Sequence, residues 1–199
     1  MLSYSSRGER QAFLLSQFND FVQGQVLDVG CGQAHLRNYV KGYVGLDIAG
    51  NPDVYFDLEQ GVLPLRDGSF DTVICLDVLE HVQSAHEIIQ EIFRVSGRYV
   101  VISLPNEYLL YFRLKFLLGK TKKEFGWFPR NQHKWLGSYN QARDFVAFYA
   151  KRSGFALMKE FPVFTYRRLS RLGFLLGLFP NVFATAYWAA LRKASEGSH

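Results

Sequence analysis

The chain has 199 residues, 48% of them hydrophobic and 16% aromatic, the composition of a folded globular protein and not of a disordered one. Its net charge of +5 is unevenly placed: residues 1–100 carry 7 Lys/Arg against 13 Asp/Glu, net −6, and residues 101–199 carry 16 against 5, net +11. Only two cysteines occur, Cys31 and Cys75, without the spacing of a zinc site or disulfide framework, and residues 1–7 hold no long apolar core, so a cytoplasmic chain is expected.

In chain order, Phe13, Leu14, Phe18, Phe21 and Val22 recur at helical spacing and predict a leading amphipathic helix over 7–21. Residues 25–29 read as a short buried strand, 34–40 as a helix ended near Gly42, 43–47 as a second strand and 53–56 as a third. A loop rich in Gly, Pro and Asp precedes residues 70–76, whose unbroken apolar character implies burial on both faces. Residues 78–95 predict a helix with Ile88, Ile89, Ile92 and Phe93 inward, and 98–104 another buried strand. This βαβα alternation predicts an α/β fold, an open parallel sheet with helices on both faces.

After Pro105 the rhythm changes. An aromatic helix over 108–118 leads into an irregular stretch, 119–137, that contains Trp127, Pro129, His133 and Trp135. Long aromatic loops of this kind serve as binding lids, so 106–138 is read as a substrate lid inserted in a single domain spanning 1–196. Ser138 or Asn140 caps a helix that Gly154 ends, and a strand follows over 155–163. Residues 172–191 carry no charge and are long enough to span a bilayer, but Gly173, Gly177, Pro180 and Asn181 interrupt them. A short helix over 169–178, a turn at Pro180-Asn181 and a closing strand over 182–193 fit better.

In an open parallel sheet, ligands bind beyond the carboxyl ends of the strands where the strand order reverses, at the first strand–turn–helix unit. Here that unit is Val26-Leu27-Asp28-Val29-Gly30-Cys31-Gly32. Glycines let backbone approach a ligand, and Asp28 would reach a cationic amino-acid end, directly or through water. A nicotinamide site would add a third glycine before the helix, where this chain has His35. Further acids end the next strands. Asp47, followed by Ile48, offers two oxygens to two ribose hydroxyls; Asp57, with the Leu58 backbone, lies where an adenine edge would be read; Asp77, after Leu76, adds a polar group near the reacting centre.

Residues 27–32 (LDVGCG), 44–47 (VGLD), 70–74 (FDTVI), 79–82 (LEHV) and 102–106 (ISLPN) together resemble the successive motifs of class I S-adenosylmethionine-dependent methyltransferases. The resemblance spans residues 20–106. It implies a Rossmann-like seven-stranded sheet of order 3-2-1-4-5-7-6, its last strand antiparallel, and S-adenosylmethionine held by Asp28, Gly30, Cys31, Gly32, Asp47, Ile48, Asp57, Leu58, Leu76 and Asp77. One departure is visible: the family usually has a third glycine where Ala34 stands. The second half is similar in layout, more loosely, to MetW of methionine biosynthesis, which admits a cofactor-binding partner subunit without catalysis.

For the chemistry, His133 in Asn131-Gln132-His133-Lys134-Trp135 is the candidate base over the cofactor mouth. Asp77-x-x-Glu80-His81 is similar to the Glu-x-x-Glu-His of magnesium-dependent small-RNA 2′-O-methyltransferases, yet metal-free relatives also carry Glu-His here. No metal is expected, and a structural hydrogen-bonding role is assigned to Glu80 and His81. The expected partner is a small anionic or partly apolar methyl acceptor. Peripheral membrane contact through 108–118 and 169–179 is an additional expectation, and nucleic acid is not an expected partner.

Overall fold

The structure, a computed structural model, describes residues 7–120, 133–164 and 178–194. Trp127, Pro129, Asn131 and Gln132 of the expected lid, and nearly all of the expected 169–178 helix, lie outside these residues.

Twelve helices and strands follow one another along the described chain, with only 3₁₀ turns in the connections from β1 to β4: α1 (Arg7–Phe18), β1 (Val26–Val29), β2 (Tyr43–Asp47), β3 (Val54–Tyr55), β4 (Phe70–Leu76), α2 (Ala85–Val95), β5 (Ser96–Pro105), α3 (Leu110–Leu117), α4 (Tyr139–Arg152), β6 (Phe155–Val163), α5 (Pro180–Phe183) and β7 (Ala186–Lys193). The strands make one sheet of order β3-β2-β1-β4-β5-β7-β6, in which β7 runs antiparallel to both of its neighbours. This is the Rossmann-like seven-stranded order implied by the motifs. The strand order reverses between β1 and β4, which pair directly, Val29 with Cys75.

Central strands have no solvent face, and their apolar runs follow from that. On one face, Ile88, Ile92 and Phe93 of α2 and Val146 and Ala150 of α4 pack on Leu27, Val73, Val100 and Leu191. On the other, Phe13, Leu14 and Phe18 of α1 pack on Ile74, Val101 and Trp188. The fully buried indole of Trp188 stacks on Phe18 at 5.6 Å and meets Phe13 edge-on at 4.9 Å.

Several expected boundaries move, each for a local reason. Residues 34–40 yield only a 3₁₀ turn, His35–Asn38, because Ala34 enters it in the left-handed region at φ 52°, ψ 41°. Helix α2 starts at Ala85, not 78. Residues Leu79–His81 form a separate 3₁₀ turn whose Glu80 carbonyl accepts from the amides of Lys134 and Trp135, and the Val82 carbonyl accepts from the Trp135 indole. Ser138, rather than Asn140, caps α4, in a capping box with Gln141. The last strand begins at Ala186 because Pro180–Phe183 is a helical turn with proline at its first position.

Both sheet edges are short or irregular. β3 has two residues, and β6 shifts register between Leu157 and Lys159 and carries Pro162. The Lys159 ammonium lies inward over the rings of Phe18 and Phe161, at 5.3 and 5.0 Å, and donates to the Gln17 carbonyl. Helix α3 buries none of its residues, leaving Leu110, Tyr111, Leu114 and Leu117 exposed. Among the described residues no helix is long and apolar enough to cross a membrane.

Candidate active site

The sequence-derived candidates converge at the carboxyl ends of β3, β2, β1 and β4, four neighbouring strands. Asp28 sits inside β1 at 6% exposure and accepts a hydrogen bond from the Tyr43 hydroxyl at 2.9 Å. Beyond it the chain turns through Gly30, whose amide donates to Leu46 O at 2.8 Å, and Gly32, whose amide donates to Asp47 Oδ2 at 2.7 Å. The other Asp47 oxygen accepts from the Ala49 amide. Asp47 therefore ties the glycine turn to β2 while keeping lone pairs for a ligand. Ile48 beside it is 63% exposed, an apolar surface at the strand end.

Asp57 takes a local role: its Oδ1 accepts from the Glu59 amide at 3.0 Å and caps the short turn Leu58–Gln60, with Leu58 buried. Asp77 follows Leu76 at φ 53°. Its Oδ1 accepts from Ser103 Oγ at 2.6 Å and its Oδ2 from Arg10 Nη1 at 2.9 Å; the same Arg10 nitrogen donates to Leu76 O. Among the described residues, Ala34 and Asp77 are the non-glycines with positive φ, and both border this cleft. Backbone strain of this kind is held only where surroundings enforce it, and it clusters at ligand sites. Ala34, where the family usually has glycine, adopts a glycine conformation at a cost of about 1 kcal/mol. Ala34→Gly is accordingly expected to raise the melting temperature by about 2–4 °C, since it relieves that strain; a lowered melting temperature in a thermal unfolding scan would contradict this.

Burial sets the charge state of the cleft. It pushes the Asp28 carboxyl up from 3.8 to about 7, offset in part by the Tyr43 hydroxyl and Arg10 and reinforced by Asp47. The folded chain thus holds a proton on Asp28 that the unfolded chain releases near pH 4. Asp28 stabilises the fold below pH 4, and this contribution is lost as pH rises through about 7. A cationic ligand group needs the ionised carboxylate. Binding of S-adenosylhomocysteine is expected to weaken about tenfold per pH unit below 7 and level off above it, and in Asp28→Asn calorimetry should show no such slope. Burial, with Asp28 and Asp47, pushes the Cys31 thiol up to about 12, so it stays a neutral part of the turn wall. Both cysteines are free.

A second cluster adjoins Asp77. The clamp on the Glu80 carbonyl, 2.7 Å from the Lys134 amide, brings His133 against the Leu79–His81 turn. The Lys134 ammonium pairs with Glu59 across the same clamp. His133 Nδ1 lies 2.6 Å from Glu107 Oε1, with side chains only 9% and 2% exposed. Glu80 is also buried, and burial, with the neighbouring Asp77 and Glu107 charges, raises its pKa well above the ordinary glutamate value. Beside it opens a cavity of about 230 Å³ lined by Leu79, Glu80, Leu104, Trp135 and Phe145, with His86 at its edge. The His86 ring is exposed as expected, yet it packs edge-on against Trp135 and Phe145 and its Nδ1 is 2.8 Å from the Tyr149 hydroxyl. His35 is exposed.

Sequence reasoning missed Arg10 and Glu107. Arg10 lies on α1 among residues that read as a solvated helix face. Glu107 directly follows Pro105-Asn106 and carries no local sign of burial.

The family model for a methyltransferase domain matches residues 6–160. Among curated relatives, a ubiquinone biosynthesis O-methyltransferase of Paracidovorax citrulli is 32% identical over 140 residues, covering 57% of this chain and 57% of that protein. An uncharacterised protein of Methanocaldococcus jannaschii is 32% identical over 113 residues, covering 51% of this chain and 50% of its own length. The chain thus spans little more than half the length of the curated relatives it matches. Among solved structures, magnesium protoporphyrin IX methyltransferase of Synechocystis with bound S-adenosylhomocysteine has a TM-score of 0.58 at 18% identity, covering 96% of this chain and 90% of that one. The strand order, the glycine turn and the matched span lead to one conclusion: the chain belongs to the methyltransferase-domain family, with the fold of its S-adenosylmethionine-dependent members.

Proposed function

We propose that the chain transfers a methyl group from S-adenosylmethionine to an oxygen or nitrogen of a small, partly apolar acceptor. The observation that carries this is the adjacency of two half-sites: acids and glycines at the ends of β1, β2 and β4, and the buried His133–Glu107 pair beside an apolar cavity. The residues fit the cofactor. A buried acid, Asp28, suits its ammonium group, Asp47 suits the ribose, and close backbone approach at Gly32 leaves room for its chain. Arg10, at the end of β4 beside Asp77, supplies the positive charge that its carboxylate requires.

Bound S-adenosylmethionine supplies an activated methyl on a sulfonium, so transfer is an in-line displacement that leaves S-adenosylhomocysteine. The protein's work is alignment, exclusion of water and removal of the acceptor's proton. Glu107 fixes the imidazole of His133, which takes that proton. Leu79, Leu104, Trp135 and Phe145 hold the apolar part of the acceptor. The oxygen specificity in the name of the ubiquinone-pathway relatives supports a hydroxyl as the nucleophile.

Titration with S-adenosylhomocysteine by calorimetry tests the cofactor half; no binding would end the proposal. Release of S-adenosylhomocysteine over a panel of phenols, carboxylates and amines tests the transfer, and silence across the panel with cofactor binding intact would favour a non-catalytic subunit instead. The exposed face of α3, with Lys115 among its apolar residues, supports peripheral contact with an anionic bilayer. Flotation with anionic vesicles checks it, and protein remaining in the dense fraction removes it.

A further inference from the structure

We propose that Lys134, held by Glu59, is a positioning residue that makes the placement of His133 depend on whether S-adenosylmethionine is bound. The proposal rests on the methyl-transfer reading, with the ribose of the cofactor at Asp47, and names how the donor half of the site controls the acceptor half.

A short series of contacts joins the two halves. Phe56 N donates to Asp47 O at 3.0 Å, so the chain beyond β3 runs beside the ribose-binding acid into the turn Leu58–Gln60. A base attached to a ribose at Asp47 extends toward this turn. The Glu59 carboxylate accepts from the Gln83 amide through both oxygens, at 3.2 and 3.0 Å, and pairs with the Lys134 ammonium. Ser84 Oγ donates to Leu58 O at 2.9 Å and fastens the same two segments side by side. Lys134 in turn stands between His133, which meets Glu107, and Trp135, which lines the acceptor cavity.

Burial raises the Glu59 carboxyl, but Lys134 and the Gln83 amide outweigh it and hold the group below the ordinary glutamate value, so both partners are charged at neutral pH. Their side chains are still 34% and 36% exposed, and an ion pair this open holds little by itself. A ligand lying on the Leu58–Gln60 turn restricts Glu59 and raises the share of molecules in which Lys134 is paired. With it rises the share in which the Lys134 and Trp135 amides close on Glu80 O. His133 and Trp135 then take their places with the methyl donor present, and the acceptor binds second. Coupling of this kind is reciprocal: the factor by which the cofactor stabilises the paired arrangement is the factor by which that arrangement strengthens cofactor binding.

The test uses the full chain and S-adenosylhomocysteine. Calorimetry gives its affinity, and hydrogen exchange followed by NMR gives the opening of the Lys134 and Trp135 amides with and without it. In the wild type the ligand is expected to slow exchange of both amides about fivefold or more. Lys134→Met is expected to abolish that slowing and to weaken binding by the same factor, within about threefold, although Lys134 is outside the residues assigned to the cofactor. Lys134→Arg keeps the charge and should retain both effects. Melting curves confirm that the variants fold. Binding that leaves exchange of the two amides unchanged in the wild type, or a Lys134→Met variant with both wild-type values, overturns the coupling and leaves methyl transfer standing. Failure of S-adenosylhomocysteine to bind the wild type removes the methyl-transfer reading, and the coupling with it.

Discussion

Replacing Gly50 with alanine is expected to weaken binding of S-adenosylhomocysteine by about 100-fold or more, equivalent to about 2.7 kcal/mol. An added Cβ would lie 2.1 Å from Gly32 O and 2.5 Å from Gly32 C, against backbone that cannot rotate away, and φ at Gly50 is +91°. Gly32 cannot retreat either. Its amide is held by Asp47 at 2.7 Å and its carbonyl by the Asn51 amide at 2.8 Å, so accommodation must displace the whole glycine turn. Gly61→Ala is the control: φ is +77°, but the nearest atom to its Cβ is 3.8 Å away. That variant should lose about 1 kcal/mol of stability and bind the ligand normally. Calorimetry on both, with circular dichroism to confirm folding, makes the comparison; wild-type affinity in Gly50→Ala would show that the Gly32 turn does not touch the ligand.

His133→Ala is expected to lower turnover about 10²–10⁴-fold while changing S-adenosylhomocysteine affinity less than about twofold. The imidazole sits against Glu107 and Glu80 at the acceptor side, away from the glycine turn that would bear the cofactor. Glu107→Gln should cost less, because the ring remains and only its orientation suffers, and it should shift the pH profile of turnover. Steady-state kinetics across pH 5–9 separates the roles. Unchanged turnover in His133→Ala would place the acceptor elsewhere.

The parts of this fold legible in the sequence are those whose cause is local. Residues 70–76 and 98–104 are largely apolar without alternation because both faces of a central strand are covered, and Asp77, directly after the first of these runs, marks its carboxyl end. The start of α2 was not legible. Glu80-His81-Val82 continues a helical pattern, and what breaks it is hydrogen bonding to Lys134 and Trp135, more than fifty residues on. Glu107 was invisible for a related reason: glutamate is ordinarily exposed, and only the returning chain at His133 and the Gly137 carbonyl that accepts from its amide hold it inside. Arg10 finds Asp77 at a separation of 67 residues, which no periodicity records. Ala34 was legible as a missing glycine, but its left-handed backbone was not.

The two sheet margins bear on behaviour in solution. A strand with free amides and carbonyls invites a neighbour to add itself, and the longer and flatter it is, the stronger the invitation. At one margin β3 offers two residues; at the other, β6 interrupts its ladder at a register shift, lacks a donor at Pro162 and turns the charge of Lys159 inward. Strand-by-strand growth into fibrils is discouraged at both ends.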